Sequence, residues 1–144
     1  MEITPYTRTS YYYETDRMDV IHHSNYIRWF EEARIDFMDK MGIPYKKVEQ
    51  LGIVSPVLYV DCQYISPVRF GETVNIYVNL VKFTGTRMDF SYKIVDSLSD
   101  TVRVTGKSGH CFVDDKFRPV SIKKSYPDIY NTYKVYEELP TERK

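Results

Sequence analysis

The pattern of apolar and polar positions changes period once along the chain, near residue 53. Before that point Tyr26, Phe30, Ala33, Phe37 and Met41 recur at spacings of three and four. They form one stripe, which predicts an amphipathic helix beginning at Tyr26. Ser24 and Asn25 are good capping residues just ahead of it, and Gly42 and Pro44 stop it. A short helix is expected over residues 45–50, closed by Gly52. Beyond it the period is two. Residues 53–65 form a strand-like run that ends at Ser66-Pro67. Residues 73–81 alternate, with Val74, Ile76, Val78 and Leu80 on one face. After a turn at Phe83-Thr84-Gly85-Thr86, residues 87–95 alternate again, with Met88, Phe90, Tyr92 and Ile94 on one face. A polar turn over residues 96–100 leads into a last long strand over 101–113. Upstream of the helix, residues 6–13 are rich in Tyr, Thr and Ser and predict a first strand. Residues 14–24 have no period and predict a loop. The tail over residues 126–139 is expected to be helical, entered near Pro127 and ended at Pro140.

One strand, one long helix and four further strands predict an α+β chain with a single antiparallel sheet, a meander in its second half. A lone amphipathic helix must lie across one face of that sheet to bury both apolar surfaces. This is the hotdog architecture, an antiparallel sheet wrapped around a long central helix. The other sheet face and a strand edge stay open, so a homodimer or higher homo-oligomer is expected.

Composition narrows the function. The 144 residues suit one domain over residues 1–144, and no linker, repeat or low-complexity tract divides them. Formal net charge is zero, which argues against a nucleic-acid binder or an anionic-membrane binder. Cys62 and Cys111 are too few for a disulfide framework or a zinc knuckle. The first ten residues show no secretory pattern and no segment reaches membrane-spanning length, so a cytoplasmic protein with reduced thiols is expected.

The predicted loop holds the chemistry: Tyr12, Glu14, Asp16, Arg17, Asp19, His22, His23, Ser24 and Asn25. It leads straight into a helix N-terminus, whose first N–H groups are unpaired and partly positive. Such donors can hold the oxygen of a thioester carbonyl as it becomes an oxyanion. A carboxylate beside that carbonyl can activate water or attack the carbon itself. Asp16, a few residues upstream, can fold back over this end.

The run from Tyr12 to Tyr26 (YYETDRMDVIHHSNY) resembles the signature of the 4-hydroxybenzoyl-CoA thioesterase family, and most of all its bacterial Tol-Pal-associated acyl-CoA thioesterase branch. Glu32-Ala33-Arg34 in the helix and Pro67-Val68-Arg69-Phe70-Gly71-Glu72 before the next long strand are similar to that family too, and the resemblance covers residues 6–125. It implies the hotdog fold and hydrolysis of an acyl-CoA thioester without a cofactor. It also implies catalytic roles for Asp16, His23 and Tyr12, with a helix-terminal amide near His23 polarising the carbonyl. One position departs from the family: glycine is usual three places after the aspartate, and this chain has Asp19. Glycine there allows unusual backbone angles. Asp19 must adopt them at some cost, and it adds a second negative charge near Asp16.

Plainer readings stand beside these. Asp16 alone would read as a turn cap, and the surrounding pattern turns the reading to catalysis. His23 would otherwise cap or pack. Tyr12 reads equally as a strand residue. Adjacent His22 and His23 point in different directions, which argues against a metal site. His110 reads as a core histidine, and Cys62 and Cys111 as inert strand residues. Glu31 and Glu32, the helix carboxylates another hotdog lineage uses, sit off the apolar stripe and should face solvent or a partner subunit. Three function classes remain: a thioesterase on acyl-CoA or on acyl carrier protein, a hotdog hydratase, and a non-catalytic acyl-CoA-binding protein. A hydratase needs a helix histidine that this helix lacks, and a sensor would normally lack Asp16.

Overall fold

The computed structural model describes residues 3–137. Five strands build one antiparallel sheet: β1 (Tyr6–Thr9), β2 (Val57–Tyr64), β3 (Thr73–Phe83), β4 (Arg87–Asp96) and β5 (Val102–Cys111). The order across the sheet is β1-β3-β4-β5-β2. Helix α1 (His23–Met41) lies on one face, followed by α2 (Tyr45–Gln50), α3 (Ile122–Ser125) and α4 (Pro127–Tyr136). The expected helix-wrapped α+β fold is therefore present. Residues 138–140, where the tail helix was expected to end, lie outside the described residues.

Both predicted faces are the core. Tyr26, Phe30, Ala33, Phe37 and Met41 of α1 are buried against Val74, Ile76 and Leu80 of β3 and Met88, Phe90, Tyr92 and Ile94 of β4. Burying each large side chain of this set contributes roughly 1.5–3 kcal/mol. Helix and sheet come close together at Gly106 of β5. A Cβ there would overlap the Phe30 ring and the Asp61 carbonyl. Its absence lets Phe30 stack on Tyr92 with ring centroids 4.4 Å apart. Gly42 ends α1 in the left-handed conformation at φ 89°, as its position after the stripe predicts.

Several boundaries differ from expectation. The first strand stops at Thr9, because Ser10 turns inward to Arg69 and Glu72 (Oγ to the Arg69 carbonyl, 2.7 Å; N–H to the Glu72 carbonyl, 3.0 Å). Tyr12–Glu14 then form a 3-10 turn rather than strand. Strand β2 is shorter than residues 53–65, since Ile53 still belongs to the buried end of α2 and Val54 makes only an isolated bridge to Val113. The meander is confined to β3, β4 and β5. β2 crosses to the far edge and pairs with β5, because β1 already occupies the free edge of β3. Helix α3 has no periodic signal in the sequence.

A buried ion cluster ties β1 to α1. Arg8 on β1 donates to both Glu14 carboxylate oxygens, at 2.8 and 2.7 Å, and to Glu32 on α1 at 2.7 Å. Trp29 Nε1 also donates to Glu14, at 3.0 Å, and the Arg8 guanidinium lies over the Trp29 ring. Burial would raise the Glu14 carboxyl, yet bonds from Arg8, Trp29 and the Tyr11 amide hold it below its ordinary range. Glu32 thus pairs with Arg8 while its side chain stays part-exposed, and Glu31 is exposed.

His110 is buried on β5, with Nε2 2.8 Å from Ser108 Oγ. Burial, with the Arg34 charge added, pushes its imidazole down from 6.5 to about 4.

Two stability outcomes follow. Glu14→Ala, which strands the buried Arg8 charge, should cost about 3 kcal/mol or more in urea unfolding. A loss under about 1 kcal/mol, the size of an exposed pair, would show that the cluster does not hold the loop. For His110, the folded protein refuses a proton that the unfolded chain accepts. Its contribution is complete above pH 6.5 and is lost as pH falls towards 4. The loss is at most ~3 kcal/mol. His110→Gln should flatten that acid slope in unfolding curves, and an unchanged slope would assign it to other groups.

Candidate active site

Residues 15–22 are a compact turn held at both ends. Thr15 and Ile21 form an antiparallel bridge, and Val20 bridges Arg69. The Ile21 N–H meets the Val68 carbonyl at 2.8 Å. The Glu14 carbonyl accepts the His22 N–H at 2.8 Å and Asn25 Nδ2 at 2.9 Å. Glu14, held by its buried carboxylate, therefore positions the turn and the helix start together through its carbonyl.

Asp16 caps this turn. Its Oδ1 accepts the amides of Met18 at 2.7 Å and Val20 at 3.4 Å. Among the described residues nothing donates to Oδ2, so one oxygen is anchored and the other is free. The turn closes through Asp19 in the left-handed region at φ 64°, the backbone angle that glycine would take more readily. The cost expected of aspartate at this position is thus incurred.

Helix α1 begins three residues earlier than the stripe suggests. His22, with extended backbone, is its N-cap and accepts the Ser24 N–H on Nδ1 at 3.2 Å. Ser24 and Asn25, expected as caps, lie inside the helix. Ser24 Oγ contacts His22 Nδ1, and Asn25 is spent on Glu14. The amides near the start are then accounted for one by one. That of His22 goes to Glu14, that of Ser24 to His22 Nδ1, and that of Asn25 to the His22 carbonyl at 2.9 Å. The N–H of His23 alone among these four has no acceptor among the described residues.

Asp16 and His23 share one cleft of about 230 Å³. Its walls are Met18, Val20, Ile21, Tyr26, Tyr64, Ile65, Ser66, Pro67 and Val104. They come from the loop, the first turn of α1, the end of β2 and β5. The surface is mainly apolar, with a carboxylate and a helix N-terminus at one side. The His23 ring stacks on His22 at 4.2 Å and meets Tyr64 edge-on at 6.2 Å. Tyr12 is not brought to this cleft. It lies on the 3-10 turn, 75 % exposed, with its ring edge-on to Phe70. Sequence reasoning missed Tyr26, Tyr64, Ile65 and Val104. Tyr26 was legible only as a core position, and the β2 and β5 residues join the site through long-range pairing that no local motif marks.

The chain is similar to several known proteins. A putative acyl-CoA thioesterase of Bacillus subtilis, YneP, is 29 % identical over 85 % of this chain and 88 % of its own length. A putative esterase of Aquifex aeolicus is 32 % identical over 86 % of this chain and 94 % of its own. Among solved structures, a DHNA-CoA thioesterase from Staphylococcus aureus superimposes with a TM-score of 0.88 at 29 % identity, covering 92 % of this chain and 89 % of that one. A family model described as the thioesterase-like superfamily matches residues 12–131, so the chain belongs to that superfamily.

Proposed function

We propose that the protein hydrolyses acyl-CoA thioesters in this cleft, with Asp16 as its catalytic carboxylate. The observation that carries the reading is that Asp16 and His23 line one mainly apolar cleft, each with a group, Oδ2 and the N–H, that has no partner among the described residues. The acyl chain lies against the apolar walls. The thioester oxygen takes the His23 amide, where the helix end favours negative charge. Asp16 Oδ2 removes a proton from the attacking water, or in a covalent route attacks the carbonyl carbon itself. Oδ1, fixed by the Met18 and Val20 amides, holds the carboxylate in register. The His23 ring borders the entrance and orients substrate. Tyr12 lies outside the cleft and has no part in this scheme.

A second copy completes the assembly. The outer edge of β2 carries exposed Val57, Leu58, Tyr59 and Val60, and its end supplies Tyr64 to the cleft. An apolar edge strand of this kind calls for a partner, and pairing along β2 would place the second subunit beside the active site. No helix among the described residues is long and apolar enough to cross a membrane. Both cysteines are free, which fits the reducing cytoplasm as the site of action.

Asp16→Asn, nearly isosteric, should lose roughly 10²- to 10⁴-fold in kcat with KM little changed, in a thiol-release assay across short, long and aromatic acyl-CoAs. His23→Ala should lose less, since the backbone amide remains, and Asp19→Gly should be at least as active as wild type. Near-normal turnover by Asp16→Asn would move the search to Asp19 and Glu31. For the assembly, sedimentation at micromolar concentration should give a dimer or larger. Leu58→Lys with Val60→Lys should dissociate it, and a strictly monomeric active wild type would refute the pairing.

A further inference from the structure

In the sequence Tyr26 is one member of the apolar stripe of α1, yet it ends in a hydroxyl. The ring is 3 % exposed, edge-on to Trp29 at 5.4 Å and tilted against Tyr64 at 5.8 Å. Its oxygen accepts the Val68 N–H at 3.0 Å, and the Val68 carbonyl in turn takes the Ile21 amide. The phenol is thereby fixed where α1, the Asp16 turn and the 66–69 segment meet. A phenol that accepts through its oxygen still has one proton to give. Among the described residues no acceptor takes it. Burial above all holds the phenol above its ordinary titration range, so this proton is present at neutral pH. Tyr26 is the fourth residue of α1, and helical side chains lean back towards the N-terminus. That direction brings the hydroxyl towards the helix end that carries the free His23 amide, in a cleft that Tyr26, His23 and Asp16 all line. The titratable and charged groups around it are Asp16 on the turn, Cys62 and Tyr64 on β2, and Arg103 on β5.

A buried donor with nothing to donate to is costly unless a ligand completes it. We propose that the Tyr26 hydroxyl is a catalytic donor which, with the His23 N–H, holds the thioester oxygen as it becomes an oxyanion. This rests on the acyl-CoA thioesterase reading. In the water route, the water oxygen bonds to the carbonyl carbon while its proton passes to Asp16. The carbonyl electron pair moves onto oxygen, where Tyr26 and His23 donate. When that pair returns, the carbon–sulfur bond breaks and the departing thiolate takes the proton back from Asp16. Tyr26 keeps its own proton throughout.

Tyr26→Phe should lower kcat by about 10²-fold with KM near wild type. It also strands the Val68 amide, so its melting temperature should fall. A second variant separates the two roles: 3-fluorotyrosine at position 26 keeps the ring and both contacts but makes the phenol more acidic, lowering its pKa. If the phenol proton stabilises the transition state, the basic limb of the kcat profile moves to lower pH. A purely structural tyrosine would leave that profile superimposable on wild type. The inference is overturned by an unmoved profile in the fluorinated enzyme, or by a folded Tyr26→Phe with kcat within a few-fold of wild type, while Asp16→Asn remains inactive. A wild type that releases no thiol from any acyl-CoA would instead overturn the thioesterase reading beneath it.

Discussion

The loop that holds Asp16 depends on one buried carboxylate. Glu14 takes four donors on its side chain: two from Arg8, one from Trp29 and one from the Tyr11 amide. Its carbonyl takes two more, from His22 and Asn25. Strand β1, the 3-10 turn, the Asp16 turn and the start of α1 are thus fixed to one residue. Charges this deep gain little net stability over apolar packing, but removing one partner is costly. Such a cluster suits specification of geometry, and here the geometry specified is that of the helix end and the turn above it.

In the proposed reaction the turn makes double use of a single aspartate. The plain reading of Asp16 as a turn cap and the chemical reading as a reactive carboxylate are both compatible with its surroundings, because each takes a different oxygen. In the proposed reaction, capping through Oδ1 removes the freedom that a loop carboxylate would otherwise have to lose at each turnover. Asp19, held at positive φ with no glycine to ease it, is where the turn stores strain.

The cleft exists because three parts of the fold end at one place. The α1 N-terminus, the Asp16 turn and the last residues of β2 converge, and β5 supplies Val104 as part of the wall. This follows from strand order. With β1 on the free edge of β3, β2 must take the far edge beside β5. That placement carries Tyr64 and Ile65 to the helix start and leaves the rest of β2 as an open apolar edge.

Local sequence determined a good deal by itself. Period-two alternation marked the inward faces of β3 and β4, and the three-four stripe marked the buried face of α1, because side-chain direction follows backbone period directly. The loop that holds Asp16 and leads to His23 was legible because it lacked either period and led into a helix. Tertiary structure decided the rest. Strand β1 ends at Thr9 because Ser10 finds Arg69 and Glu72, partners some sixty residues away. Helix α1 starts at His23 because His22 caps it and Glu14 claims Asn25, one of the two residues that looked like caps. Tyr12 faces away from the cleft and Tyr26 faces into it, although both are tyrosines in the same short motif. Motif spacing records which residues are near one another along the chain. Which of them meet in the cleft is set by hydrogen bonds and strand pairings between segments far apart in sequence, and those leave no local trace.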